Sequence, residues 1–177
     1  YLRKTDGTPA IRLGDGAAFA VSPDGKWVSS YSTKADGKRR YVLLPTGAGE
    51  EQEISISRLK GFNAVLGWGP GGRSMFVRGP GAGGKWQNYL WDSASGSLKP
   101  VGPEGIGDAS ILVSPDGSKI VGVGPDGRWW VYRADGGPAT PLPPFAARDQ
   151  PVGFRADGQS IFVANVLEDG CAMEVSV

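Results

Sequence analysis

Apolar residues along this chain come in short runs, and each run ends at a glycine-bearing turn. The clearest case is Phe19-Ala-Val-Ser-Pro-Asp-Gly25 followed by Lys26-Trp-Val-Ser-Ser-Tyr31. Phe19 and Val21 alternate with small residues, as on one face of a strand. Between the two runs, Ser22-Pro-Asp-Gly25 has turn chemistry: proline fixes φ, aspartate accepts from nearby backbone N–H groups, and glycine tolerates a positive φ. The unit returns as Leu66-Gly-Trp-Gly-Pro-Gly-Gly72, Ile111-Leu-Val-Ser-Pro-Asp-Gly117 and Val152-Gly-Phe-Arg-Ala-Asp-Gly158, each leading into a second apolar run. The closing glycines, Gly25, Gly72, Gly117 and Gly158, lie 47, 45 and 41 residues apart.

A second set of turns keeps step with the first. Gly37, Gly84, Gly127 and Gly170 follow those glycines by 12, 12, 10 and 12 residues. Each full unit therefore predicts four strands, A to D. In the first they cover residues 17–21, 27–32, 40–44 and 52–56. The third unit has a short strand D with prolines near 139–142, which suits an edge position. The fourth has strands A and B and a strand C over 171–175. Ahead of the first unit, residues 1–3 and 10–13 predict a hairpin around Thr5-Asp-Gly7. No stretch carries a helical period long enough to form a helix.

A unit of about 40–45 residues with four short strands cannot bury both faces alone. Such units stack face to face as the blades of a β-propeller. The expected fold class is all-β: a β-propeller with four-stranded antiparallel blades, about four of them. The expected divisions are 1–14 as the C–D hairpin of a preceding blade, blades over 15–58, 59–102 and 103–144, and a partial blade over 145–177. The leading hairpin competes with strand 171–175 for one position, so an arc of a ring of about six to eight blades is expected. Core columns are read at Val28, Met75, Ile120 and Ile161, at the strand A pairs Phe19/Val21, Leu66/Trp68, Ile111/Val113 and Val152/Phe154, and at Trp91 and Trp130.

Composition narrows the chemistry. The 29 Gly and 14 Pro residues of this 177-residue chain fall between apolar runs, so they are turn punctuation and not disorder. A net charge of +1 supplies no field that draws in nucleic acid. Lys38-Arg39-Arg40, the one basic cluster, is placed on a solvated hairpin tip. No apolar run approaches the roughly 18 residues of a membrane span, so no direct membrane insertion is expected. Cys171 is the single cysteine and there is no histidine. That leaves no disulfide within the chain, and no His-based triad, metal ligand or general base.

The remaining candidates read as structure. Asp24, Asp36, Asp116, Asp126, Asp157 and Asp169 each precede a turn glycine. A Ca²⁺ site needs about six to eight converging oxygens, and these carboxylates are spread one per turn. Ser22 and Ser114 precede proline and recur with the repeat, which marks them as turn residues and not nucleophiles. Gly79-Pro-Gly-Ala-Gly-Gly84 is glycine-rich but sits on a B–C turn and opens no helix, so it is no phosphate loop. No catalytic residue, cofactor or metal ligand is expected.

Ser22-Pro-Asp-Gly-Lys-Trp27 and Ser114-Pro-Asp-Gly-Ser-Lys-Ile120 resemble the signature of the bacterial WD-like propeller repeats of the TolB type, over nearly the whole chain. The order Tyr1-Leu-Arg-Lys-Thr-Asp-Gly, Arg12-Leu-Gly-Asp-Gly16, Ser22-Pro-Asp-Gly-Lys-Trp-Val28 and Leu43-Leu-Pro-Thr-Gly-Ala-Gly-Glu50 is similar to the propellers carried C-terminally by eukaryotic-like bacterial serine/threonine kinases. The resemblance implies a non-catalytic sensor or protein-interaction module, periplasmic or otherwise extracytoplasmic, with a protein partner or further blades of the same propeller against it. The alternatives are an accessory or TolB-like subunit of an envelope complex, and the gating propeller of a serine peptidase whose catalytic domain lies outside this chain.

The A–B and C–D turns are short and stereotyped, whereas the B–C turns and D–A connections vary, which is where function tends to sit. The candidate partner-binding residues on that end of the blades are Arg58, Phe62, Trp86, Asp108, Arg128, Arg148 and Asp149. Trp and Arg are the residue types that anchor interfaces.

Overall fold

The computed structural model describes residues 1–177 other than 57, 58, 60, 62, 63, 108–110, 147 and 166–172. Among the described residues there are fifteen short strands and one 3₁₀ turn, Pro70–Gly72. The strands form four antiparallel sheets, each a meander in chain order. Blade 1 holds β1 (Ala17–Val21), β2 (Trp27–Thr33), β3 (Arg39–Pro45) and β4 (Gln52–Glu53). Blade 2 holds β5 (Ala64–Trp68), β6 (Ser74–Pro80), β7 (Trp86–Asp92) and β8 (Leu98–Val101). Blade 3 holds β9 (Leu112–Val113), β10 (Lys119–Val123), β11 (Trp129–Arg133) and β12 (Thr140–Pro141). Blade 4 holds β13 (Asp149–Phe154), β14 (Ser160–Asn165) and β15 (Met173–Ser176). This is the all-β, four-bladed propeller architecture that the repeat predicts.

The chain divides into two compact units, Tyr1–Ser57 and Arg58–Val177. In the first, Val28, Val42 and Leu44 form a small buried cluster against which Leu13 packs. The predicted N-terminal hairpin is reduced to one antiparallel bridge between Leu2 and Ile11. The two residues exchange backbone hydrogen bonds of 2.8 Å, and no ladder extends from them. The other side of blade 1 carries an aromatic group in which Phe19 lies 5.2 Å from Tyr31 and 6.4 Å from Tyr41, centroid to centroid.

The second unit shows why the repeat has its period. Blade 3 buries both faces. Ile120 and Tyr132 pack with Phe76, Val101 and Ile106 toward blade 2. Val121 and Val131 pack with Ile161 and Val163 toward blade 4. Successive side chains of β10 and β11 thus enter different inter-blade layers, as the period of two requires. Three residues after their turn glycines, Ile120 and Ile161 face the preceding blade; four after theirs, Phe76 and Val121 face the following one, so that Ile120 and Phe76 share one layer and Ile161 and Val121 the next. Val28, Met75, Ile120 and Ile161 are all buried, as predicted. Trp68 and Trp91 are buried too, while Trp130 and Phe154 are partly buried at the edges of these layers.

Three of the eight predicted strand A positions are exposed: Phe19 is 42% exposed, Val21 51% and Val152 45%. For Phe19 and Val152 the reason is a recurrent bulge. Register shifts between Ala18 and Ala20, between Val65 and Gly67, and between Pro151 and Gly153. Phe19, Leu66 and Val152, each six residues before its turn glycine, are the unpaired residues of those bulges. A bulge adds a residue to one strand and breaks the alternation; Phe19 and Val152 turn outward, whereas Leu66 still packs against the layer between blades 2 and 3.

The Ser-Pro-Asp-Gly turns are closed hydrogen-bonded modules. Ser114 Oγ donates to Asp116 Oδ1 at 2.6 Å and accepts from Lys119 N–H at 2.9 Å. Ser118 N–H donates to the same carboxylate at 3.0 Å, and Gly117 N–H donates to Ser114 O at 2.8 Å. Ser22 and Asp24 repeat the arrangement. These bonds, the one from Ser114 first, lower the Asp116 pKa to about 2. A carboxyl held below its unfolded value stabilises the fold above that unfolded value, near 4, and loses the contribution as pH falls toward about 2. We expect Ser114→Ala to cost about 1–2 kcal/mol at neutral pH. In thermal melts, its deficit against the unsubstituted chain should shrink as the pH is taken down through that window. A deficit that is constant with pH would mean that the serine does not act through Asp116.

Candidate functional site

In the second unit the B–C turns and the D–A connections meet at one end of the blades. Gly83 N–H in the B–C turn of blade 2 donates to both oxygens of Glu104 at 3.0 Å, and Glu104 belongs to the connection into blade 3. Gly105 N–H donates to Trp86 O at 2.8 Å. The turns at the opposite end spend their polar groups on themselves: Asp116 and Asp157 accept from backbone N–H groups two residues on. The same is true of Asp126 in the B–C turn of blade 3, which accepts from Arg128 N–H at 3.1 Å and from Trp130 Nε1.

Two recesses lie at this end. The first, of about 240 Å³, is lined by Arg128 and Trp129 from the B–C turn and β11, by Leu142, Pro143 and Phe145 from the D–A connection, and by Asp149 at the start of β13. Two of the predicted residues, Arg128 and Asp149, are thereby brought together from 21 positions apart. A third, Arg148, sits beside Asp149 with φ +78, the one non-glycine residue with positive φ among the described residues. A non-glycine residue in that region is strained, and such strain persists where the surrounding structure enforces it.

The second recess, of about 320 Å³, is lined by Pro103, Pro125, Asp126, Trp130, Tyr132 and Ala139. Burial, helped by the Asp126 charge, raises the Tyr132 pKa to about 12, so this hydroxyl stays protonated at neutral pH. Among the residues lining these two recesses there is no pairing of a nucleophile with a general base.

Trp86 stands apart from both recesses. It is 37% exposed, and the guanidinium of Arg78 lies 5.8 Å from its ring centroid. Arg78 is buried and donates from Nη2 to Ile106 O at 2.5 Å and to Gly107 O at 2.8 Å. It ties β6 to the connection into blade 3. Its neighbour across the ladder, Asn88, is fully buried, and its side-chain amide has no hydrogen-bond partner among the described residues. Arg58, Phe62 and Asp108 lie outside the described residues.

The sequence reading missed Trp129, Phe145 and Arg78. Trp129 and Phe145 form the apolar part of the first recess and continue the layer between blades 3 and 4. The run Pro141-Leu-Pro-Pro-Phe145 was the available signal, since a strand cannot continue through it. In the first unit a recess of about 420 Å³ lies at the C–D turn, between Ile11–Leu13 and Leu44–Gly49.

No family model matches the chain, and no curated protein matches it. Solved structures do. TolB from Acinetobacter baumannii aligns over 89% of this chain and 40% of its own, with a TM-score of 0.68 and 18% identity. A protein described as putative TolB from Agrobacterium tumefaciens aligns over 89% of this chain and 60% of its own, with a TM-score of 0.66 and 21% identity. Hydrazine synthase from Kuenenia stuttgartiensis aligns over 89% of this chain and 57% of its own, at 0.50 and 14%. The chain therefore spans well under two thirds of these structures' length, and what it shares with the first two is the fold of a TolB-type β-propeller.

Proposed function

We propose that the chain is a non-catalytic protein-interaction module of a bacterial extracytoplasmic propeller protein, and that it works through the B–C end of its blades. The observation that carries this reading is a contrast between the two ends. The Ser-Pro-Asp-Gly turns use their serine and aspartate groups internally, whereas Arg128 and Asp149 converge on a recess with an apolar floor. Its likeness to TolB-type propellers supports both the binding role and the extracytoplasmic setting, and it favours a TolB-like envelope subunit as the second reading. A module carried behind a kinase, as residues 1–50 imply, is the narrower form of the first.

The test is capture of a partner from a bacterial envelope extract, followed by affinity measurement on the identified protein. Trp86→Ala and Arg128→Ala should each weaken binding about tenfold or more. Arg73→Ala and Gln159→Ala, which follow turn glycines at the other end, should leave it unchanged. Loss of binding in the latter pair with retention in the former would overturn the assignment of the face.

A further inference from the structure

The recess between blades 3 and 4 holds an unusual combination. Its floor is apolar: Leu142 is buried, and Trp129 and Phe145 are partly buried against the same core layer. Its lining also includes one cation, Arg128, and one anion, Asp149. Among the described residues, neither side chain is engaged in an ion pair; the hydrogen bonds these residues make there are those of their backbones. Opposite charges on one small recess ordinarily pair with each other. Here no ion pair joins them, and Trp129, Leu142 and Phe145 line the same recess.

We propose that this recess binds a small zwitterion with an apolar side chain, a free α-amino acid of the aromatic or large aliphatic class. The ligand's carboxylate meets the Arg128 guanidinium, whose planar fork suits bidentate binding of a carboxylate. Its ammonium meets Asp149. Its side chain covers Trp129 and Phe145. A recess of about 240 Å³ lies below the roughly 300–1,000 Å³ of sites for drug-sized ligands, which suits a ligand as small as an amino acid. The site shares its end of the blades with the proposed partner surface, but it needs no partner to be occupied.

The experiment is a titration of the chain followed by amide and indole NMR, with three probes: L-phenylalanine, its N-acetyl derivative and its amide. L-phenylalanine should shift the Trp129 indole and the backbone amides of residues 145 and 149, with a Kd of roughly 0.1–1 mM. Blocking either charge should weaken binding about tenfold or more. Arg128→Ala should remove the preference for the free acid over the amide, and Asp149→Asn the preference for the free amine over the N-acetyl form. Equal binding of the N-acetyl derivative would replace the proposal with capture of a peptide C-terminus. Absence of shifts at about 10 mM ligand, or unchanged binding in both variants, would overturn it. Because the titration uses a defined ligand and the isolated chain, its failure would leave the partner reading intact, and loss of the partner reading would leave the titration result intact.

Discussion

Gly117→Ala should destabilise the fold by more than about 3 kcal/mol, while the same change at Gly25 or Gly158 should cost only about 1 kcal/mol. The three glycines occupy one register position and share one conformation, with φ of +70, +70 and +68. A Cβ at any of them therefore meets the same left-handed penalty. The surroundings differ. At Gly117 the added carbon would lie 2.4 Å from Gly69 C, 2.6 Å from Gly69 O and 2.8 Å from Pro70 N, all backbone atoms. The A–B turn of blade 3 rests directly on that of blade 2, and neither backbone can yield without parting the layer below. At Gly25 nothing lies within 4 Å, and at Gly158 the nearest atom is Pro115 Cδ at 3.9 Å. Chemical denaturation of the three variants is the measurement. Three equal losses would mean that the two turns do not touch as described.

The second large effect separates two phenylalanines that the sequence cannot tell apart. Phe76 and Phe162 both stand four residues after a turn glycine, inside Met-Phe-Val and Ile-Phe-Val runs. Phe76 is fully buried in the layer between blades 2 and 3, whereas Phe162 is 37% exposed on the side of blade 4 turned away from blade 3. Phe76→Ala should cost about 3–5 kcal/mol, a large share of the roughly 5–15 kcal/mol that a domain of this size has available. Phe162→Ala should cost less than about 1 kcal/mol, as surface changes do. Equilibrium unfolding in urea would register the difference as a shift in midpoint. Comparable midpoints for the two variants would contradict the assignment of residues to layers.

Much of the architecture was legible because turns are local. Ser22-Pro-Asp-Gly25 and Ser114-Pro-Asp-Gly117 close on themselves, so their chemistry can be read without knowing what surrounds them. Val28, Met75, Ile120 and Ile161 follow from the turn by counting. What failed was non-local or broke the count. The bulges at Phe19 and Val152 insert one residue, and an alternation read straight through them assigns the wrong face. The hairpin predicted at residues 1–13 has one bridge because two short strands without a third have little to hold them. Nothing in the local pattern marks Arg78 as buried, yet carbonyls of the next connection take up its guanidinium.

The site was legible in part for the same reason. Variation in the B–C and D–A segments singled out an end of the blades at which Arg128 and Asp149 line one recess. Their meeting depends on how the connection through Pro143, Pro144 and Phe145 folds back over β11, which no local pattern encodes. Trp86 was placed on the same end, but its closest companion is the buried Arg78 and not the other predicted residues.

The claim at the centre of this account is that the repeated turns between the first two strands of each blade are structural and that the opposite end binds. Hydrogen–deuterium exchange on the partner-bound chain tests it most directly. Peptides spanning residues 81–86, 124–129 and 142–146 should gain protection, while those spanning 69–73, 114–118 and 155–159 should exchange as in the free chain. Protection confined to the Ser-Pro-Asp-Gly end would contradict the account.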